Sequence, residues 1–351
     1  MNKKPAPRVR AVATAVPPYS VAQSEAKAFA ASFFENNFKN LERLLPVFDN
    51  TQIRRRYLSQ PPAWYARPHT FPETNALYEQ VALNLSLQAA SQALERAAVQ
   101  PAEVGMVLFV STTGLATPSL DAKLIQELGM SPHTYRLPIW GLGCAGGVAG
   151  IARAAEMARL APQQAVLLVA VELCSLTFQH NDRSKSNLIA ASLFGDGAAA
   201  AVLHMAGDGP AVLGSYSTLF EDSADVMGWD VVQTGLKVRF SRHIPTIVRR
   251  HLPTLLAEAC EAWGIHPAGL HHYVVHPGGA KVLAAYLASL DLEEDHLAPA
   301  YEILKNYGNM SSASVLFVLE KFLEVQRPTA DYGVMLALGP GFSAEQVLFQ
   351  W

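Results

Sequence analysis

Three residues in this chain combine a reactive side chain with a backbone setting suited to chemistry. Cys144 stands in WGLGCAGGVAG, where an irregular stretch turns into an alanine-rich helical pattern. A thiol at a helix N-terminus feels the partial positive charge of unpaired backbone N–H groups, which favours the thiolate. The same N–H groups, freed by Gly143 and unhindered by Ala145, would suit an oxyanion hole. A Cys among glycines reads equally as a small core spacer, because buried cysteine is common. His276 lies in VVHPGG, where an apolar strand gives way to a Gly-rich loop. Pro277 stiffens that exit, and Gly278 and Gly279 leave room for a ligand. A strand-terminal imidazole there serves as general base or as electrostatic partner of a thiolate. Asn309, in NYGNMSSAS, places an amide at the start of a further helix, where plain N-capping is the competing role.

The elements around these residues predict how they meet. VRAVATAV reads as a first strand ended by Pro17-Pro18, and SEAKAFAASFFE as a helix with Ser24 as candidate cap. Residues 77–98 have the apolar spacing of a long amphipathic helix. GMVLFVSTTG, AVLLVAVEL and ASLFGDGAAAAVLHM follow as apolar runs, the last interrupted by a Gly-Asp-Gly turn signal. The second half echoes the first. HHYVVHPGG is a strand running into a Gly-containing loop, the NMSSAS turn leads into an amphipathic helix, and GVMLALGPGFSAEQVLF echoes a hairpin-like FGDG unit. SADVMGWDVVQTGL, with Met227 and Trp229, reads as loop. Strands alternating with helices predict a layered α/β core built from two related halves, residues 1–208 and 209–351, which meet near AGDGPAV.

Composition narrows the class. Of 351 residues, 50% are hydrophobic and 16% charged, which suits a compact globular protein with a sizeable core. A formal net charge of −3 gives no electrostatic reason to expect nucleic acid or an anionic membrane as partner. No run of about 18 apolar residues predicts a membrane span. The cysteines, Cys144, Cys174 and Cys260, are odd in number and widely spaced, without a zinc-site pattern, which points to reduced thiols, no metal and a cytoplasmic protein. The Arg54-Arg55-Arg56 run reads as a solvated face, with contact to a nucleotide phosphate as the alternative.

Taken in order, GCAGG, LFGDGAAAAVL, HPGG, NYGNMSSASVLFVL and GPGF resemble the type III polyketide synthases, the chalcone synthase-like enzymes, over nearly the whole chain. The resemblance implies a thiolase-like fold, two pseudo-symmetric αβαβα halves forming a five-layered core, and a homodimer. It implies that Cys144 carries the acyl chain, held as a thiolate by His276. His276 and Asn309 would bind the thioester carbonyl of malonyl-CoA and stabilise the enolate left by decarboxylation. Phe194 would be the gatekeeper, with Thr112, Thr113, Cys174, Thr177, Val238, Ser311, Gly339 and Pro340 in the substrate site. Arg43 and Arg54 are the candidates for contacting coenzyme A. No cofactor is implied beyond the coenzyme A thioesters that are substrates.

Departures from the plant pattern carry information. Pro46 and Asn50 replace two basic coenzyme A contacts, and ALGPG replaces GFGPG. Cys174 stands where the plant enzymes have Thr, resembling bacterial members that admit long fatty acyl starters, and Val238 replaces a Phe, which enlarges the cavity. A fatty acyl starter, two or three malonyl extensions and an alkylpyrone or resorcinol-type product are expected. The nearest rival, a β-ketoacyl carrier-protein synthase III, typically reads HQAN and GNTSAAS. An HMG-CoA synthase-like condensation would need a general base, for which Glu172 is the candidate. A non-catalytic partner subunit is opposed by the intact Cys144, His276 and Asn309.

Overall fold

The computed structural model describes residues 5–35, 37–241 and 243–351. In chain order the first half contains β1 (Arg8–Ala15), β2 (Tyr19–Ala22), α1 (Gln23–Phe33), α2 (Pro46–Asn50), β3 (Arg55–Leu58), α3 (Pro62–Tyr65), α4 (Phe71–Ala97), β4 (Val104–Val110), α5 (Leu120–Glu127), β5 (Tyr135–Ile139), α6 (Gly146–Leu160), β6 (Ala165–Leu173), α7 (Lys185–Leu193) and β7 (Asp196–His204). The second contains β8 (Ala211–Leu219), β9 (Met227–Val232), β10 (Gly235–Phe240), α8 (Ile244–Trp263), β11 (Leu270–Val275), α9 (Ala280–Leu290), α10 (Ala298–Tyr307), α11 (Ser314–Leu323), β12 (Tyr332–Gly339) and β13 (Ser343–Gln350).

One nine-stranded sheet runs in the order β11-β12-β13-β8-β1-β7-β6-β4-β5. Its two ends repeat a topology. In the first half β4 is parallel to β6, β6 antiparallel to β7, and β7 antiparallel to β1. In the second, β11 is parallel to β12, β12 antiparallel to β13, and β13 antiparallel to β8. Among the described residues the second half shows no counterpart of β5, and β11 ends the sheet there. The halves join where Arg8 pairs with Ala211, supported by Val9 N–H to Pro210 O (3.0 Å) and Val212 N–H to Pro7 O (2.7 Å).

Five layers result. α4 packs on β1, β6 and β7 from outside; α6 and α11 lie between the two half-sheets, each touching both; α8, backed by α9, covers the second half-sheet. The middle position explains an unusual composition. A surface helix needs one apolar stripe, but a helix sandwiched between sheets is enclosed on every side. In α11 the residues from Ser314 to Leu319 are all buried, and the polar side of the expected amphipathic helix is confined to Glu320 and Lys321 in its last turn. In β7 (DGAAAAVLH), helices on both faces leave room only for small side chains, and tertiary packing overrides the poor strand propensity of alanine.

Several local expectations are corrected. The helix expected from residue 77 starts at Phe71, because Thr70 and Glu73 form a reciprocal capping box. Ser24 is not the cap of α1: the N-cap position is Ala22, whose N–H is held by Glu25 Oε2 (2.8 Å). The Gly-Asp-Gly signal makes no turn; Asp196 and Gly197 run straight into β7 after α7. The segment read as loop around Trp229 forms the antiparallel β9–β10 hairpin.

Candidate active site

The pseudo-symmetry brings two helix starts together. Cys144 lies in a 3-10 turn, Gly143–Ala145, that leads into α6; Ser311–Ala313 form the corresponding turn before α11. Gly143 and Ser311 hold the same left-handed backbone conformation, φ 47° and 48°. Glycine adopts it without cost, whereas Ser311 bears the steric penalty of a Cβ. Helix α6 approaches the Ser311–Ala313 turn closely. A Cβ on Gly147 would sit 2.3 Å from Ser312 O, so this contact requires glycine. Gly339 and Pro340 close over the Cys144 turn, with a Cβ at Gly339 reaching 2.5 Å from Leu142 O and Pro340 packed on Gly143.

The turn brings the Cys144 sulfur near the Ser311 and Asn309 side chains, both of which favour its thiolate. Asn309 is caught from four sides. Its N–H donates to Leu193 O (2.9 Å), its carbonyl accepts from Gly195 N–H (3.0 Å), Nδ2 donates to Gly278 O (3.1 Å) and Oδ1 accepts from Ser311 N–H (2.8 Å). The bond to Gly278 ties the amide to the His276 loop. His276 follows β11, its N–H bonded to Leu336 O (2.9 Å), and the ring is buried with neither nitrogen paired. An imidazole without partners in a buried site is a reserve of hydrogen-bonding capacity for a ligand.

Burial sets the charge state. It pushes the Cys144 thiol up to about 12, with the Ser311 and Asn309 bonds opposing, and pushes His276 down to about 3. In the site without substrate, burial thus works against the expected thiolate–imidazolium pair and favours a thiol and a neutral ring. The oxyanion hole is also narrower than expected, since Ala145 N–H is engaged by Leu142 O (3.1 Å).

The remaining expected residues divide. Phe194 lies beside Asn309 in an isolated parallel bridge, its ring 5.5 Å from that of Phe240 and 6.2 Å from Trp229. On its other side is a cavity of about 80 Å³, open to solvent, lined by Phe194, Cys174, Thr177, Val238 and Arg56 within and by Phe29 and the exposed Glu25 of α1 at the rim. Thr112 and Thr113 are not in that lining. Thr112 N–H (3.0 Å), Thr112 Oγ1 (2.9 Å), Thr113 Oγ1 (2.9 Å) and Ser312 Oγ (2.6 Å) all donate to buried Glu172, which is thereby occupied and ill suited to act as a base. Arg43 and Arg54 are exposed, Arg54 bonded to Asn306 Oδ1 (3.2 Å).

Sequence reasoning missed a second buried polar group. Asp196 accepts from Ser59 N–H (2.7 Å) and Oγ (2.5 Å) and from Ser175 N–H (2.7 Å) and Oγ (2.5 Å), with Arg56 nearby. Arg56 is only 3% exposed, contrary to the solvated face expected of its run. The three arginines occupy β3 and its approach, and a strand turns alternate side chains to opposite faces.

Comparison with known proteins agrees with this geometry. Residues 2–208 match the profile described as chalcone and stilbene synthases, N-terminal domain, and residues 212–350 the corresponding C-terminal domain. The chain is 43% identical to a chalcone synthase candidate of Bacillus subtilis (strain 168), covering 98% of both proteins. It is 38% identical to the 1,3,6,8-tetrahydroxynaphthalene synthase of Streptomyces peucetius subsp. caesius, covering 98% of this chain and 93% of the relative. The crystal structure of the 1,3,6,8-tetrahydroxynaphthalene synthase of Streptomyces coelicolor A3(2), a bacterial type III polyketide synthase, superposes with a TM-score of 0.94 at 30% identity, over 98% of this chain and 99% of that one.

Proposed function

Because the chain belongs to the chalcone and stilbene synthase family of type III polyketide synthases, we propose that it loads an acyl group from coenzyme A onto Cys144 and extends it with malonyl-CoA. It is an acyltransferase of the polyketide-forming class. The observation that carries the residue roles is the convergence of Cys144 with Asn309, and of Asn309 with the His276 loop, at paired helix starts.

The chemistry follows from the charge state. The neutral His276 ring accepts the Cys144 proton as the sulfur attacks the acyl thioester, and coenzyme A leaves as its thiol. With malonyl-CoA bound, an imidazole N–H and Asn309 Nδ2 donate to the thioester carbonyl. The bond to the carboxylate carbon breaks, carbon dioxide departs, and the electron pair becomes an enolate stabilised by those two donors. The enolate carbon attacks the acyl-Cys144 thioester, forming the new carbon–carbon bond and releasing Cys144. Repetition lengthens the chain before it cyclises.

A fatty acyl starter and an alkylpyrone or resorcinol-type product are favoured by the cavity, whose inner wall of Cys174, Phe194 and Val238 is apolar and which extends to α1. A homodimer is favoured by the free edge of β5, where Tyr135 (70% exposed), Trp140 and Leu115 leave apolar surface uncovered beside a strand paired on one side only. No helix among the described residues is long and apolar enough to cross a membrane.

The test is malonyl-CoA with acyl-CoA starters from acetyl to long-chain, read by carbon dioxide release and product mass. Cys144→Ala should abolish extension while leaving malonyl decarboxylation. Elongation by that variant would overturn the assigned nucleophile, and preference for a short or aromatic starter would overturn the fatty acyl reading.

A further inference from the structure

The buried Arg56 has no role in the steps above, yet the residues that perform them are built against it. Its Nη1 donates to Ala191 O (2.7 Å) and to Phe194 O (2.8 Å), the two carbonyls flanking the end of α7. The adjoining residues Leu193 and Gly195, on either side of Phe194, supply both backbone partners of Asn309. Packing leaves this assembly no slack. A Cβ on Gly195 would lie 2.4 Å from Tyr307 O, and one on Gly308 would lie 2.7 Å from Leu193 O and 2.9 Å from Cγ and Cδ of Arg56. Arg56 thus touches one side of the Phe194–Asn309 bridge by hydrogen bonds and the other by its aliphatic stem. The guanidinium remains charged despite burial, which lowers it to about 10 against the opposing pull of Asp196. A buried cation facing two backbone carbonyls is a costly arrangement to retain for packing alone.

We propose that Arg56 is a positioning residue for malonyl decarboxylation, clamping the 191–195 segment so that the Asn309 amide and the Phe194 ring are held at the angle the reaction needs. The proposal rests on the decarboxylative function assigned above. Arg56 also lines the cavity beside Phe194, where the starter is placed, but in this role it acts through Asn309 and not through a contact with Cys144. Misplacing a catalytic group by about 1 Å can cost about a hundredfold in rate, and neutral methionine, of comparable length, removes both carbonyl bonds.

The experiment compares wild type, Arg56→Met, Arg56→Lys, Asn309→Ala and the Arg56→Met/Asn309→Ala pair in malonyl-CoA decarboxylation, with thermal unfolding in parallel. Arg56→Met should lower kcat by about ten- to a hundredfold with KM changed less than about twofold. Arg56→Lys, which keeps the charge and one bond, should recover part of that loss. In the Asn309→Ala background the further loss should be less than about threefold, because the group being positioned is gone. Additive losses in the pair, or an undiminished kcat in Arg56→Met, overturn the proposal. If Arg56→Met fails to fold, Arg56→Lys decides alone: a folded variant with wild-type kcat overturns it. A wild-type enzyme that releases no carbon dioxide overturns the decarboxylative reading, and this inference with it.

Discussion

Burial lowers the pKa of His276 and so favours a neutral ring in the fold, which has a measurable consequence. With its pKa near 3 instead of 6.5, the folded protein binds fewer protons than the unfolded chain between those values. Stability therefore falls as pH drops from about 6.5 towards 3. Replacing His276 by Gln should flatten this limb, so the change in melting temperature between pH 7 and pH 5 should be smaller than in the parent. Equal or steeper loss would mean that the folded protein holds an imidazolium. Cys144 acts at the opposite end: its raised pKa makes stability fall as pH rises from about 9 towards 12, because the unfolded thiol ionises first. Cys144, His276 and Asn309 were all legible as residues. Their charge states were not, because local sequence suggests a helix terminus favouring the thiolate, whereas desolvation by distant side chains dominates. Arg56 shows the same limit, since a run of three arginines reads as surface until a strand places one of them in the interior.

At the scale of elements, the site depends on the close passage of α6 beside the start of α11. Gly147→Val should force Ser312 O away, destabilise the protein by about 1–3 kcal/mol and reduce activity more than stability alone explains. Urea unfolding and a decarboxylation assay check both; a variant of unchanged stability would show that the two elements can separate freely. The β9–β10 hairpin contributes Val238 to the cavity wall. Val238→Phe should shorten the space for the starter and shift preference towards shorter acyl-CoAs, read as product chain length from a mixed starter pool. An unchanged distribution would remove Val238 from the specificity wall. Helix and strand existence was readable from periodicity and caps. The hairpin around Trp229 escaped notice, because its pattern is short and mixed in polarity, and its strands exist through pairing with one another.

For the whole molecule, the exposed edge of β5 gives the test of assembly. A charge placed among Tyr135, Leu115 and Trp140 should oppose burial of that surface against a second copy. Trp140→Glu is expected to convert a dimer to a monomer, measured by light scattering coupled to size-exclusion chromatography. A variant with the parent's mass would place the subunit contact elsewhere. The internal repeat was visible as two strand–loop–helix units, and both halves keep the same strand directions. The edge-to-edge seam at Arg8 and Ala211 and the burial of α11 between the half-sheets were not visible, because both arise from contacts between segments distant in sequence.

The sequence by itself determined the chemistry available: a thiol, an imidazole and an amide, each placed by glycine-rich motifs at an element's end, in an order that resembles one enzyme family. Those features are local, fixed by residue type and backbone preference within a few positions. Tertiary structure alone decided which groups meet, which are neutral, and which side chains hold the working ones. Thr112 and Thr113 were diverted to Glu172, Arg56 was drawn beneath Phe194, and Cys144 was set against Asn309. Desolvation and hydrogen-bond partnership are properties of what surrounds a group in space, and in this fold most of those neighbours come from far along the chain.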